Sequence, residues 1–219
     1  MNEIKDTSNE IKEVGKSSFL DIKPESDIRS SEAKSFIEDK FNNSKSDLND
    51  KANTNELIDG NKHYYDDNEK EYRIDDNLLS NETYEINGYK YETDNLGRNI
   101  SAEGKLHMKE DRDKKKIEDS MDTIGKGDQK DTDDRGHLIG DQFDGGAGLE
   151  NLVPQDAKVN RETINKIETN LANEVKAGKD VYLKVEPVYD GDSYRPEGFS
   201  YTYTIDGEKT QIFILNESE

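Results

Sequence analysis

The run TYEINGYKYET, residues 83–93, sets Asn87-Gly88 between two stretches of aromatic and other strand-forming residues. A two-residue turn of the twist that matches paired strands needs positive φ at both positions, and Asn-Gly accepts that at low steric cost. The run therefore predicts an antiparallel hairpin. The pattern returns near the C-terminus, where Asp206-Gly207 separates FSYTYTID from EKTQIFIL. Between the hairpins, LGRNISAEGKLHM and DVYLKVEPVYD alternate as further strands. One helix interrupts them. In RETINKIETNLANEVKAGK the residues Ile164, Ile167, Leu171 and Val175 share one face, and Gly178 stops the helix. Lys109 to Asp133 is charged and lacks a steady period, so it reads as a long loop. The order of strands, loop, helix and strands predicts an α+β domain with an antiparallel sheet over residues 81–219.

The first 80 residues read differently. They are rich in Asn, Asp, Glu, Lys and Ser, with sparse apolar positions. Over the whole chain only 29% of residues are apolar and 37% are charged, too polar for the full length to share one core. Residues 1–80 are expected to be a poorly ordered, acidic linker. The alternative to a solvated linker is a marginal amphipathic helix over IRSSEAKSFIEDKF, with Ile28, Phe36, Ile37 and Phe41 at loosely helical spacing.

Net charge is −20, and no cysteine is present. Disulfide frameworks and thiolate zinc sites are therefore excluded. An acidic surface repels polyanions at long range, yet beyond roughly 8–10 Å salt screens that repulsion and a local site can still work. No stretch approaches membrane-spanning length, and MNEIKDTSNEIKEVGK lacks the apolar run of a signal peptide. No membrane partner is expected, and export would need another route.

Chemistry concentrates in DDRGHLIGDQFDGGAGLENLVPQDAKVNR, residues 133–161. His137 is one of three histidines, and an unperturbed imidazole titrates near 6.5, so it can take a proton from water at neutral pH. Gly136 before it is a place for unusual backbone conformation. Asn160 falls at the helix start, where it could be an ordinary cap or offer its amide oxygen to a hard cation. On a regular helix Asn160 and Glu168 lie about 80° and about 12 Å apart, flanking the apolar stripe. A glutamate there loses hydration, which hydrogen bonds to metal-bound waters would offset.

DRGH (134–137), NLVPQ (151–155), and NRETINKIE running from Asn160 to Glu168 resemble, in that order and spacing, the DNA/RNA non-specific endonuclease family. That family has a ββα-metal, or His-Me finger, core. The resemblance spans about residues 82–219. With DRGHLIGDQF and EPVYDGDSYRPEGFSYTYTIDG it is most similar to the nuclease toxin domains of type VII secretion effectors. It implies His137 as general base, Asn160 as the direct magnesium ligand (manganese could substitute) and Glu168 as orienting the ion's waters. It implies that Asn151 fixes the site by hydrogen bonds, and that Asp134 and Arg135 brace the turn, with Arg135 also near phosphate. A phosphate-clamping cation upstream of DRGH is further implied, with Lys105 and Arg112 as candidates. The implied activity is sequence-nonspecific cleavage of DNA, with RNA left open, by a bacterial toxin that a cognate immunity protein holds inhibited in the producer cytoplasm. Release would follow a type VII-like route without a signal peptide, and action would be in the target-cell cytoplasm. Two alternatives stand beside it. One is an acidic DNA mimic without catalysis, and the other is a secreted nutrient nuclease.

Overall fold

The computed structural model describes residues 56–110 and 116–218, which belong to one compact unit. The alternative helix over 28–41 and the candidate Arg112 lie outside the described residues.

Strands begin earlier than Thr83. β1 (Glu56–Ile58), β2 (Asn61–Tyr65), β3 (Glu71–Ile74) and β4 (Asn77–Leu78) form an antiparallel meander in chain order. Asp59-Gly60 turns β1 into β2 with φ of 52° and 87°, so a hairpin turn sits inside the stretch expected to be poorly ordered. The polar composition hid it, because this small sheet buries few residues. Tyr72 stacks on Tyr84 with ring centroids 4.8 Å apart, and Tyr84 on Tyr91 at 5.7 Å, which fastens the small sheet to the next one.

The main sheet has six antiparallel strands: β5 (Thr83–Ile86), β6 (Tyr89–Thr93), β7 (Asn99–Lys105), β10 (Val181–Val188), β11 (Gly198–Ile205) and β12 (Glu208–Leu215). They lie in the order β12-β11-β10-β7-β6-β5. Ile86 pairs with Tyr89 and Ile205 with Glu208 across the two expected turns, whose four central residues all have positive φ. Along β10, Val181, Leu183 and Val185 point into the core while Tyr182 is exposed, the period-two burial of a sheet covered on one face.

The expected loop contains a short helix, α1 (Met121–Gly125), which Ser120 caps by accepting from the Thr123 N–H. A separate hairpin follows, β8 (Asp133–His137) paired with β9 (Leu152–Asp156). The chain then enters a π-wound turn, Val159–Ile164, that runs into α2 (Asn165–Lys176). Ile164 and Leu171 are buried in the core, and Ile167 and Val175 pack against it, as the helical spacing predicted. Gly178, just past the helix, has φ of 82°. The hairpin and helix together make a ββα unit lying against a mostly antiparallel protein. Leu171→Ala should lower the unfolding free energy by about 2–5 kcal/mol in urea melts. The exposed Lys176→Ala should stay within about 0.5 kcal/mol of the parent.

Candidate active site

His137 ends β8, where it pairs with Leu152. The two residues after it, Leu138 and Ile139, are fully buried, so the chain beyond the histidine is anchored in the core. Asn151 locks that anchor. Its Oδ1 accepts the Ile139 N–H at 2.8 Å, while its Nδ2 donates to the Ile139 and Gly146 carbonyls, both at 2.8 Å. Both N–H groups of this buried amide and its oxygen are engaged by the loop, which holds the chain after His137 in place.

Gly136 does not take the positive φ that its position suggested. Space requires it: a Cβ there would lie 2.2 Å from Oε1 of Gln155. Gln155 is fully buried, and neither end of its amide has a partner among the described residues. Such a group is costly unless something not belonging to the fold completes its bonds.

Asn160 is not a cap. That task falls to Asp156, whose Oδ1 accepts from the Lys158 and Val159 N–H groups at 3.0 Å each. Asn160 sits in the π-wound turn and donates from Nδ2 to Asp134 Oδ2 at 3.0 Å. The amide nitrogen thus faces a carboxylate, and the carbonyl oxygen Oδ1 is the end left to meet a cation. Arg161 grips the same carboxylate through Nε at 2.8 Å and Nη2 at 2.6 Å. Burial alone would raise the Asp134 carboxyl, but the bonds from Arg161 and Asn160 outweigh it and hold it below its ordinary value.

Glu168 lies against the loop beyond the histidine. A Cβ on Gly140 would come within 2.6–2.7 Å of its carboxylate, and Gln142 Nε2 reaches it only at 3.5 Å. Burial pushes its carboxyl up to about 7, with the weak Gln142 bond opposing the rise. The two ends of the site can now be joined. Asp134 touches Asn160, Gly140 and Gln142 touch Glu168, and His137 lies between those contacts on one strand-to-loop segment. The segment that carries His137 and the helix thus meet at two places, Asp134 with Asn160 and the Gly140–Gln142 loop with Glu168.

Among the described residues no group of three or more His, Cys, Asp or Glu is placed to hold a metal ion. One amide oxygen and one under-bonded carboxylate do not make a closed structural zinc site. They would suit an ion that keeps most of its own water, as magnesium does.

A family model for DNA/RNA non-specific endonucleases matches residues 80–207, more than half of the chain. The chain belongs to the DNA/RNA non-specific endonuclease family. It is 32% identical over 143 residues to the type VII secretion system protein EssD of Staphylococcus aureus (strain USA300), a match covering 59% of this chain. The same match covers 22% of EssD, so the chain spans under a quarter of that relative's length. Among solved structures it is similar to NucA from Streptococcus agalactiae with a magnesium ion bound. That likeness has a TM-score of 0.44 and 20% identity, over 77% of this chain and 86% of the other. It is also similar to Sda1 nuclease with a bound zinc ion, at a TM-score of 0.37 and 24% identity over 39% of each chain.

Not every candidate cation of this endonuclease-family chain joins the site. Arg135 is exposed on β8, two residues before His137, and donates from Nη1 to the Asp119 carbonyl at 3.1 Å. Lys105 instead pairs with Asp180 at 2.8 Å at the exposed end of β7. Lys109, which sequence reading passed over inside a charged run, is held along the Gln142 loop. Its N–H donates to the Gln142 carbonyl at 3.0 Å, and its Nζ pairs with Asp141 at 3.0 Å. Gln142 and Gln155 were missed too, because a lone glutamine carries no spacing signal.

The Glu168 shift fixes the sign of a pH effect. Its folded value, about 7, lies above its ordinary 4.5, so the folded form holds a proton between those values that the unfolded chain gives up. The stability this contributes is complete below pH 4.5 and lost as pH rises through 7. In metal-free melts Glu168→Gln should therefore exceed the parent Tm by a few degrees more at pH 8 than at pH 5. An equal gap at both pH values refutes the buried-acid assignment.

Proposed function

We propose that this chain is a sequence-nonspecific, metal-dependent endonuclease of DNA, with RNA open as a second substrate. The observation that carries the reading is the pair of contacts, Asp134 to Asn160 and Gly140 to Glu168, that brackets His137. His137 accepts the proton of a water that attacks phosphorus, and the P–O3′ bond breaks to leave a 5′-phosphate and a 3′-hydroxyl. Asn160 Oδ1 is the direct ligand for magnesium, or for manganese in its place, and Glu168 orients the ion's waters. When bound, the ion supplies charge stabilisation for the phosphate and the leaving oxygen. Arg135 approaches phosphate and Asn151 holds the loop. No base contact is needed, since phosphate contacts carry no sequence information.

The similarity to EssD supports a secreted bacterial toxin. On that reading it leaves by a type VII-like route, acts in the target-cell cytoplasm, and is held inhibited at home by an immunity protein. No helix among the described residues is long and apolar enough to cross a membrane. The acidic-mimic alternative would need displayed carboxylates. Around the hairpin they are instead paired internally, Asp134 with Arg161 and Asp133 with Arg195.

Plasmid digestion with magnesium tests the reading. His137→Ala should lose about 10²–10⁴-fold in rate while keeping its fold. A variant as active as the parent, or a parent that leaves both plasmid and RNA intact, rejects it.

A further inference from the structure

Beyond residue 207, where the family match ends, the chain still touches the catalytic hairpin. Asn216 follows β12 and is 1% exposed. Its Oδ1 accepts the Asp156 N–H at 2.7 Å, and its Nδ2 donates to the Pro154 carbonyl at 3.0 Å and the Pro196 carbonyl at 2.8 Å. The Pro154 carbonyl and the Asp156 N–H flank Gln155 on the edge of β9 turned away from β8. They are the two groups that the N–H and C=O of a single residue in a neighbouring parallel strand would pair. The Asn216 carboxamide therefore stands in for a third strand on a hairpin that has only two.

The other strand is held from the same segment. Arg195 clasps Asp133 through Nε at 2.8 Å and Nη2 at 2.9 Å, and its Nη2 also donates to the Asn216 carbonyl at 2.9 Å. Asp133 and Asp156 are register partners at the open end of the hairpin, so both strands are fixed at one level. From Asp156 the restraint passes into the helix. Its Oδ1 caps Lys158 and Val159, its Oδ2 accepts from the Ser218 hydroxyl at 3.1 Å, and Asn160 is the next residue after Val159.

We propose that Asn216, with Ser218 behind it, is a positioning residue for the cation site: the C-terminal tail latches β9 and thereby sets the helix start that carries Asn160. This rests on the reading of Asn160 as the metal ligand. The latch acts at the open end of the hairpin, whereas His137 pairs at the other end beside Asn151, and Glu168 lies against Gly140, so loosening the latch spares the proton transfer and weakens the hold on the ion.

The test uses the full chain, with magnesium titrated calorimetrically into metal-free protein and plasmid cleavage measured against magnesium concentration. Asn216→Ala should weaken magnesium binding about tenfold, as losing a partner behind a ligand commonly does, and raise the half-saturating magnesium to match. Its rate at saturating magnesium should stay within about twofold of the parent. Ser218→Ala, a milder change at the chain end, should shift binding about two- to threefold in the same direction, and it decides the matter alone if Asn216→Ala does not fold. Parent-like magnesium binding in the folded variants overturns the latch, as does a lower saturated rate with unchanged binding. A parent protein that neither binds nor needs a divalent ion overturns the metal reading itself, and this assignment with it.

Discussion

The carboxylate of Asp134 joins the hairpin to the start of the helix through side chains from both. The β8–β9 hairpin is a separate two-stranded ribbon, and a lone ribbon is marginal in water. The helix beside it begins with a π-wound turn, a rare form that is frequent at functional sites. Asp134 receives the Asn160 amide and the Arg161 guanidinium together, which ties ribbon to helix and engages the nitrogen end of the Asn160 amide. Remove that carboxylate and the amide could flip, leaving a donor where a cation needs an acceptor. The charge of the pair matters less than its direction.

The rest of the molecule serves that geometry by making the ribbon rigid. Leu138 and Ile139 sink into the core directly after His137, and Asn151 closes the loop over them. Tyr89 adds a bond from its hydroxyl to the Phe143 carbonyl at 2.6 Å, which ties the same loop to the main sheet. Two glycines let parts meet closely: Gly136 under Gln155 and Gly140 against Glu168. The acidity of the chain is also less hostile to a polyanion than its net charge implies. Near the site several carboxylates are already matched by Arg161, Arg195, Arg73 and Lys109.

Where the fold is governed by short-range rules, the sequence was readable. Asn87-Gly88 and Asp206-Gly207 turn as their chemistry requires, and the stripe Ile164, Ile167, Leu171, Val175 meets the core. Asp59-Gly60 carried the same signal inside a polar stretch, and composition outweighed it. At the site, residue types and order pointed to His137, Asn160 and Glu168, while their supports depended on long-range packing. Nothing local distinguishes Asp156 as the helix cap from Asn160, or tells Gly136 for space from Gly136 for conformation. Lys105 and Lys109 differ by four positions in a charged tract, yet only the second lies along the Gln142 loop.

The stacked tyrosines have a practical consequence. Tyr72 belongs to the small sheet, and Tyr84 and Tyr91 belong to the large one. A fragment trimmed to the family border at residue 80 would strip one ring from that column and bare the face of the next. Unmatched aromatic surface of that kind promotes self-association. Anyone preparing this enzyme should therefore keep the residues from Glu56 onward, since the border drawn by kinship is not the border drawn by solubility.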